Sequence, residues 1–300
     1  MIAVCIPTIG KGIRYLEFYI KNLLETAKDP VVIYVSYHTD DDKKALDNSS
    51  VRELISDMVM VPRQEKGMFI ASTNHSRAIN ALALIAEEDI VLFSDYDMAF
   101  LRYGWDTIIK EKLKENSLFG VPYNTTEFYL NDTKLPWLEG TPAWKYQGIP
   151  NLSFMAITRE ALDLISHDDE LTDFGTFLSR GGIPFRIINT IDLSKENHLT
   201  IGTLQWLDTG YEIPSQIRKH GLKYEAMEYL NITEQSIFPI DLFKNVNRLV
   251  HFESFNLDGE PFLCHYKKGS SKLGRDDNKL MFGIFMKGVN DHLDKARKVS

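Results

Sequence analysis

Short apolar runs alternate with stretches of helical spacing through the first half of the chain, the pattern of successive strand, helix, strand units. The run Ile2, Ala3, Val4, Cys5, Ile6 predicts a first strand over 2–7, which exits into the turn Pro7, Thr8, Ile9, Gly10, Lys11, Gly12. Tyr15, Leu16, Phe18, Tyr19, Leu23 and Leu24 then recur at spacings that fit a helix laid on a sheet. A second strand is predicted over 31–36, running into the polar stretch His38, Thr39, Asp40, Asp41, Asp42, and a third over 58–61. Helical spacing returns over 76–86 at Ala78, Ile79, Leu82 and Ile85, with Arg77 and Asn80 toward its start. It leads into Ile90, Val91, Leu92, Phe93, a buried strand whose tip carries Asp95, Tyr96 and Asp97. A further strand is predicted over 118–121, ending at Pro122.

Beyond Pro122 the pattern breaks. Residues 123–150 hold Tyr123, Phe128, Tyr129, Trp137, Trp144 and Tyr146 among Pro, Gly, Asn and Thr, an ordered aromatic loop region. Its rings could stack on a sugar or an unstacked base, or form a small core beneath the loop. A strand is expected over 152–157, then a helix through Leu164 that Thr158 caps, with Glu160 near its positive end. Trp206, Leu207 and Asp208 precede a helical stretch ending near His220 and Gly221, where glycine suits the C-cap. A late strand over 262–266 and a terminal amphipathic helix through Leu280, Met281, Ile284, Phe285, Val289 and Leu293 follow. The fold class is α/β, with a mainly parallel central sheet flanked by helices in one continuous domain.

Composition narrows the function classes. At 44% hydrophobic and 25% charged the chain reads as a soluble globular protein. No apolar run approaches the ~18 residues that span a bilayer, so no membrane span is predicted. The first apolar run begins at Ile2 with no basic leader ahead of it, which argues for a cytoplasmic protein. A net charge of −8 weighs against general attraction to nucleic acid, although Lys267, Lys268, Lys272 and Arg275 form a compact basic patch. Cys5 and Cys264 each lie inside a predicted strand with no nearby Cys partner, as small core residues do. The Asn-x-Ser/Thr triplets at Asn124 and Asn231 matter only on a secretory route.

Asp95 and Asp97 place two carboxylates beyond the carboxyl end of a strand, where open α/β sheets bind ligands, and carboxylate oxygens suit Mg2+ or Mn2+. An isolated Asp-x-Asp also occurs by chance, as solvated charges opening a loop. The features in register with it change that weight. A first strand ending in Pro7 and Thr8, an Asp-containing end to the second strand at Asp40, and Asn80 on the helix leading into Asp95-Tyr96-Asp97 together resemble a nucleotide-sugar-dependent glycosyltransferase of the GT-A fold, most similar to family 2. Residues 153–160 resemble the acceptor-side strand and helix of that family. Asp208 stands where its members carry the acidic catalytic base, with Leu207-Asp208 in place of their usual Glu-Asp. His265, Gly269 and Lys272 instead resemble the C-terminal metal-binding motif of the glycogenin-type family, one residue longer than its usual spacing. The resemblance spans roughly residues 2–272, with the 123–150 loop and the tail unmatched.

This resemblance implies a Rossmann-like nucleotide-sugar-binding half over 1–122. An acceptor-binding half over 123–300 would carry the metal-binding C-terminal segment and the terminal helix. It implies Asp97 and His265 as metal ligands and Asp95 on the metal or the donor ribose. Pro7, Thr8, Asp40, Arg77 and Asn80 would line the nucleotide pocket, and Gly269 and Lys272 the diphosphate. Taken alone, Arg77 reads as a surface ion pair and His265 as a hydrogen-bonded core histidine; His251, beside Phe252 and Glu253, is the alternative metal ligand. Imidazole among carboxylates favours Mn2+ over Mg2+ as the cofactor. The reaction implied is transfer of a sugar from a nucleotide-sugar donor, a UDP-sugar foremost, to a hydroxyl acceptor. Asp208 implies inversion while also suiting a helix N-cap, whereas the His265 motif belongs to a retaining family. The acceptor is a saccharide or cell-envelope precursor, or a hydroxymethylated base of phage-type DNA, which would place the protein in a host cytoplasm. A sugar nucleotidyltransferase and a non-enzymatic nucleotide-sugar-binding protein are the other classes the pattern allows.

Overall fold

The computed structural model describes residues 1–8, 12–63, 70–122, 150–166, 217, 219–230, 237, 251–267 and 276–299. Strand β1 (Ile2–Pro7) leads through helix α1 (Ile13–Thr26) to β2 (Val31–Tyr37); α2 (Asp40–Asp47), β3 (Asp57–Met60) and α3 (Ile70–Ile85) precede β4 (Ile90–Ser94). Next come β5 (Met98–Phe100), α4 (Trp105–Glu115), β6 (Leu118–Pro122), β7 (Pro150–Thr158) and α5 (Arg159–Ser166). Strands β8 (Tyr224–Ala226), β9 (Glu228–Leu230), β10 (His251–Leu257) and β11 (Glu260–Lys267) follow, then helix α6 (Asp276–Val299). Among the described residues, one sheet runs β3-β2-β1-β4-β7-β6-β8 and a second β5-β11-β10-β9. In the larger sheet β7 alone runs against its neighbours. The mainly parallel α/β sheet flanked by helices is therefore the class the alternating pattern predicts, and strands from either side of Pro122 share it.

The central strands β1, β4, β6 and β7 are covered on both faces, which is why they read as largely continuous apolar runs. In β1, Ile2, Val4 and Ile6 enter one core and Ala3 and Cys5 the other, by the two-residue period of a strand. Helices α3 and α5 form the second core: Ile79, Leu82, Ala161 and Ile165 gather with Val91, Phe93, Met155 and Ile157. The small residues of β1 on that side admit α3 closely, with Cys5 Sγ 3.8 Å from Leu82 O. Burial pushes the thiols of Cys5 and Cys264 well above their usual range, consistent with two inert core residues. The first core lies between the large sheet, α1, α4, the smaller sheet and α6. No helix among the described residues is long and apolar enough to cross a membrane.

Several elements depart from the sequence pattern, each for a local reason. Helix α3 begins at Ile70 rather than at 76, so Arg77 and Asn80 lie in mid-helix; its polar first turns carry no apolar period to mark them. The acidic run at 40–42, beyond the end of β2, forms the first turn of α2, a helix the apolar pattern does not mark. Thr39 Oγ1 accepts from Asp42 N–H (3.1 Å) while the Asp42 carboxylate accepts from Thr39 N–H (3.1 Å), a capping box, and the acidic side chains suit the positive end of the helix. Strand β5 has too few residues for a period to show, and β10 buries the polar Glu253, Ser254 and Asn256, which break its apolar run. The helix α5 starts as expected, with Thr158 Oγ1 accepting from Ala161 N–H (3.3 Å).

Strand β5 is held along both edges. One pairs with β11; the other meets Asn22 of α1, whose side-chain oxygen accepts from Phe100 N–H (2.6 Å) and whose amide donates to Phe100 O (3.0 Å). A buried asparagine thus stands in for a neighbouring strand. Asn22→Ala would leave two buried backbone groups without these partners, each worth about 1–3 kcal/mol, so stability should fall by about 2–6 kcal/mol. Urea unfolding should show this as a lower midpoint at unchanged slope; a wild-type midpoint would overturn the role.

Candidate metal centre

The chain leaves the large sheet between Asp95 and Asp97. Asp95 N–H still donates to Ser153 O of β7 (2.8 Å), whereas the carbonyl of Asp97 already accepts from Tyr266 N–H of β11 (2.7 Å). Strand β5 then pairs antiparallel with β11 in the register Met98↔His265, Ala99↔Cys264, Phe100↔Leu263. That register sets His265 beside Asp97 although they are far apart in the chain. Tyr96, between the two aspartates, is buried near Tyr15, ring centroids 6.5 Å apart. A Cβ on Gly12 would lie 2.5 Å from Tyr96 Cε2, so any larger residue there would have to displace this ring.

Asp95, Asp97 and His265 each bring one ligand atom to within 4.8 Å of one another. Asp97 and His265 are buried, while Asp95 is partly exposed. His265 Nε2 lies 3.2 Å from Asp97 Oδ1, and its Nδ1 lies 3.0 Å from Glu253 Oε2 of β10. On the other side, His75 Nε2 of α3 donates to Asp95 Oδ1 (3.1 Å). Burial works to lower the pKa of His265, but Asp97 and Glu253 outweigh it and hold the imidazole up at about 10. At neutral pH the metal-free cluster therefore carries an imidazolium. Two carboxylates and one imidazole form a donor set that fits Mn2+, and three protein ligands leave positions for the oxygens of a bound substrate.

Of the other predicted site residues, Pro7, Thr8, Asp40, Arg77 and Asn80 fall within the described residues. Pro7 closes β1, opposite Ser36, and buried Thr8 donates to Ser36 O (2.7 Å). Because β1 is parallel to both β2 and β4, Thr8, the tip of β2 and Asp95 lie along the carboxyl edge of the sheet, where ligands of such sheets bind. Asp40 is exposed in the first turn of α2; on α3, Arg77 is exposed and Asn80 buried. Asp208, Gly269 and Lys272 lie outside the described residues, as do Trp137, Trp144, Tyr146, Lys268, Arg275 and the side chains of His251 and Lys267.

Glu253 and His75 were not singled out as site residues from the sequence. Glu253 meets His265 only through the β10–β11 register, in which the two are directly opposed. One signal for that hairpin was present: Asp258-Gly259, with φ of 55° and 78°, is the dipeptide that favours a tight two-residue turn between antiparallel strands. No short-range signal places His75, whose contact with Asp95 depends on how α3 docks. At the edge of the same sheet His38, also buried, donates from Nδ1 to Val61 O (2.8 Å) and supports the end of β2.

No protein-family model and no curated protein matches the chain. Among solved structures, it is similar to an active-site mutant of LgtC, at 14% identity over 95% of each chain with a TM-score of 0.47. It is also similar to the mannosyltransferase PcManGT of Pyrobaculum calidifontis, solved with GDP-Man and Mn2+, at 17% identity over 54% of this chain and 45% of that one, TM-score 0.37. A third is glucosyl-3-phosphoglycerate synthase of Mycobacterium tuberculosis, solved with Mn2+, UDP and glucosyl-3-phosphoglycerate, at 16% identity over 55% and 59% of the two chains, TM-score 0.38. The chain spans about half the length of the last two.

The raised pKa of His265 fixes the sign of two pH effects. A group whose pKa is raised on folding stabilises fully below its ordinary value, here 6.5, and loses that contribution as pH rises through about 10. Metal-free protein should therefore lose stability between these limits relative to His265→Gln, in thermal unfolding across that range. Mn2+ must displace the Nε2 proton, so binding at neutral pH should release about one proton and tighten as pH rises. Titration calorimetry in buffers of different ionisation enthalpy reads both; pH-independent binding without proton release would contradict coordination by His265.

Proposed function

We propose that the chain is a metal-dependent glycosyltransferase of the GT-A type that moves a sugar from a nucleotide-sugar donor to a hydroxyl acceptor. The observation that carries this reading is the meeting of Asp95, Asp97 and His265 at the carboxyl edge of a parallel sheet, with the imidazole delivered from a second sheet. Bound there, Mn2+ supplies Lewis-acid stabilisation of the negative charge that gathers on a departing diphosphate. Asp97 and His265 hold the ion from buried positions, and Asp95 binds it or the donor ribose.

Thr8 and Asn80 line the nucleotide pocket in this reading, with Pro7 shaping the strand exit and Asp40 and Arg77 supplying polar groups at the rim. Gly269 and Lys272 follow β11 in the chain and complete the diphosphate side, the glycine by admitting close backbone approach and the lysine by its charge. Asp208 takes the proton of the acceptor hydroxyl as its oxygen attacks the anomeric carbon, which gives an inverted product. The donor is a UDP-sugar and the acceptor a saccharide hydroxyl.

Incubation with UDP- and GDP-sugars in the presence of Mn2+ should release nucleoside diphosphate, and a chelator should stop the release. Pyrophosphate as the product would mark a nucleotidyltransferase, and donor binding without turnover a non-catalytic protein; either result overturns the proposal. Asp97→Asn should lower kcat/KM by roughly 100-fold or more, because a metal contributes several kcal/mol of charge stabilisation. Asp208→Asn should lower kcat while leaving the donor KM nearly unchanged.

A further inference from the structure

We infer that Glu253 is a positioning residue of the metal centre: it holds His265 by the Nδ1 proton so that Nε2 is the nitrogen presented to the ion. Glu253 has this role only if Asp95, Asp97 and His265 hold a metal. It is a buried carboxylate, and a charge withdrawn from water is costly unless a partner is built beside it. The hairpin supplies that partner by register, setting Glu253 directly opposite His265 with the side chains 3.0 Å apart.

The neighbouring opposed pair, Phe252 and Tyr266, faces the other way and packs against Phe285 of α6 with tilted rings, at ring-centroid distances of 5.7 and 5.5 Å. Period-two alternation then aims Glu253 and His265 together toward Asp97. An imidazole that ligates through Nε2 keeps its proton on Nδ1, and the ring holds its orientation when that proton has a fixed acceptor. A carboxylate can only accept, so Glu253 defines Nδ1 as the donor. Nε2 is left 3.2 Å from Asp97 Oδ1, inside the cluster with Asp95. A Glu253 that merely neutralised a buried charge would have no bearing on how His265 meets a metal.

Mn2+ binding to the full chain, read by titration calorimetry and by the imidazole-nitrogen modulation in pulsed EPR, separates the two roles. Glu253→Ala should weaken Mn2+ binding about 10–100-fold and diminish the nitrogen modulation. Glu253→Gln, whose amide oxygen also accepts from Nδ1–H, should restore most of the affinity and keep the modulation. Circular dichroism and thermal unfolding establish which variants are folded, and Glu253→Gln decides the matter if Glu253→Ala does not fold. Wild-type affinity in folded Glu253→Ala, or lost binding in folded Glu253→Gln, overturns the role of Glu253 while leaving the metal centre standing. A wild-type protein that binds no Mn2+ overturns the metal centre and this role with it.

Discussion

The antiparallel pairing of β5 with β11 ties the end of the parallel sheet to the C-terminal hairpin, and each part of the candidate centre depends on it. Asp97 lies where the chain crosses from one sheet to the other, and its carbonyl is already committed to Tyr266 N–H. So short a strand has little stability of its own. It is fixed from every side instead: by β11 along one edge, by Asn22 along the other, and by Trp105 stacked on Phe100 with centroids 4.2 Å apart. Trp105 is itself anchored, its indole N–H donating to Leu23 O (3.0 Å). The position of His265 relative to Asp97 is thus a consequence of core packing.

What could be read from the sequence follows the range of the forces involved. β1, β4, β6 and β7 were legible because burial on both faces demands largely unbroken apolar runs, and α1 and α6 because one face of each must meet a core. Helix α2 was hidden because its acidic first turn, favourable beside a helix N-terminus, has the same composition as a solvated loop. Asp95, Asp97 and His265 were legible as ligand types at recognisable places in the chain. Glu253 and His75 were not, since the first depends on strand register and the second on helix docking, neither of which leaves a local period. The Asp258-Gly259 turn is a local signal for the hairpin, but counting back from it opposes Glu253 to Cys264; the irregularity between Phe255 and Asn256 shifts the register by one and brings Glu253 opposite His265.

The same register imposes an electrostatic constraint. Asp95, Asp97 and Glu253 bring three carboxylates around one imidazole, with His75 at the more exposed side. Buried groups of like charge are tolerated only where positive charge is supplied. In the metal-free protein the proton held by His265 supplies it, between Asp97 on Nε2 and Glu253 on Nδ1. A divalent ion would supply more, and would take the Nε2 side while leaving the Nδ1 side as it is. Folding before metal arrives and binding the metal afterwards are then two answers to one constraint. Because the proton keeps the ligands in place, little need be spent on ordering them when the ion binds; because it occupies the ligand nitrogen, the ion must compete with it. Asp97, and after it Glu253, favours the charged ring in the first state; in the second, Glu253 orients the neutral ring.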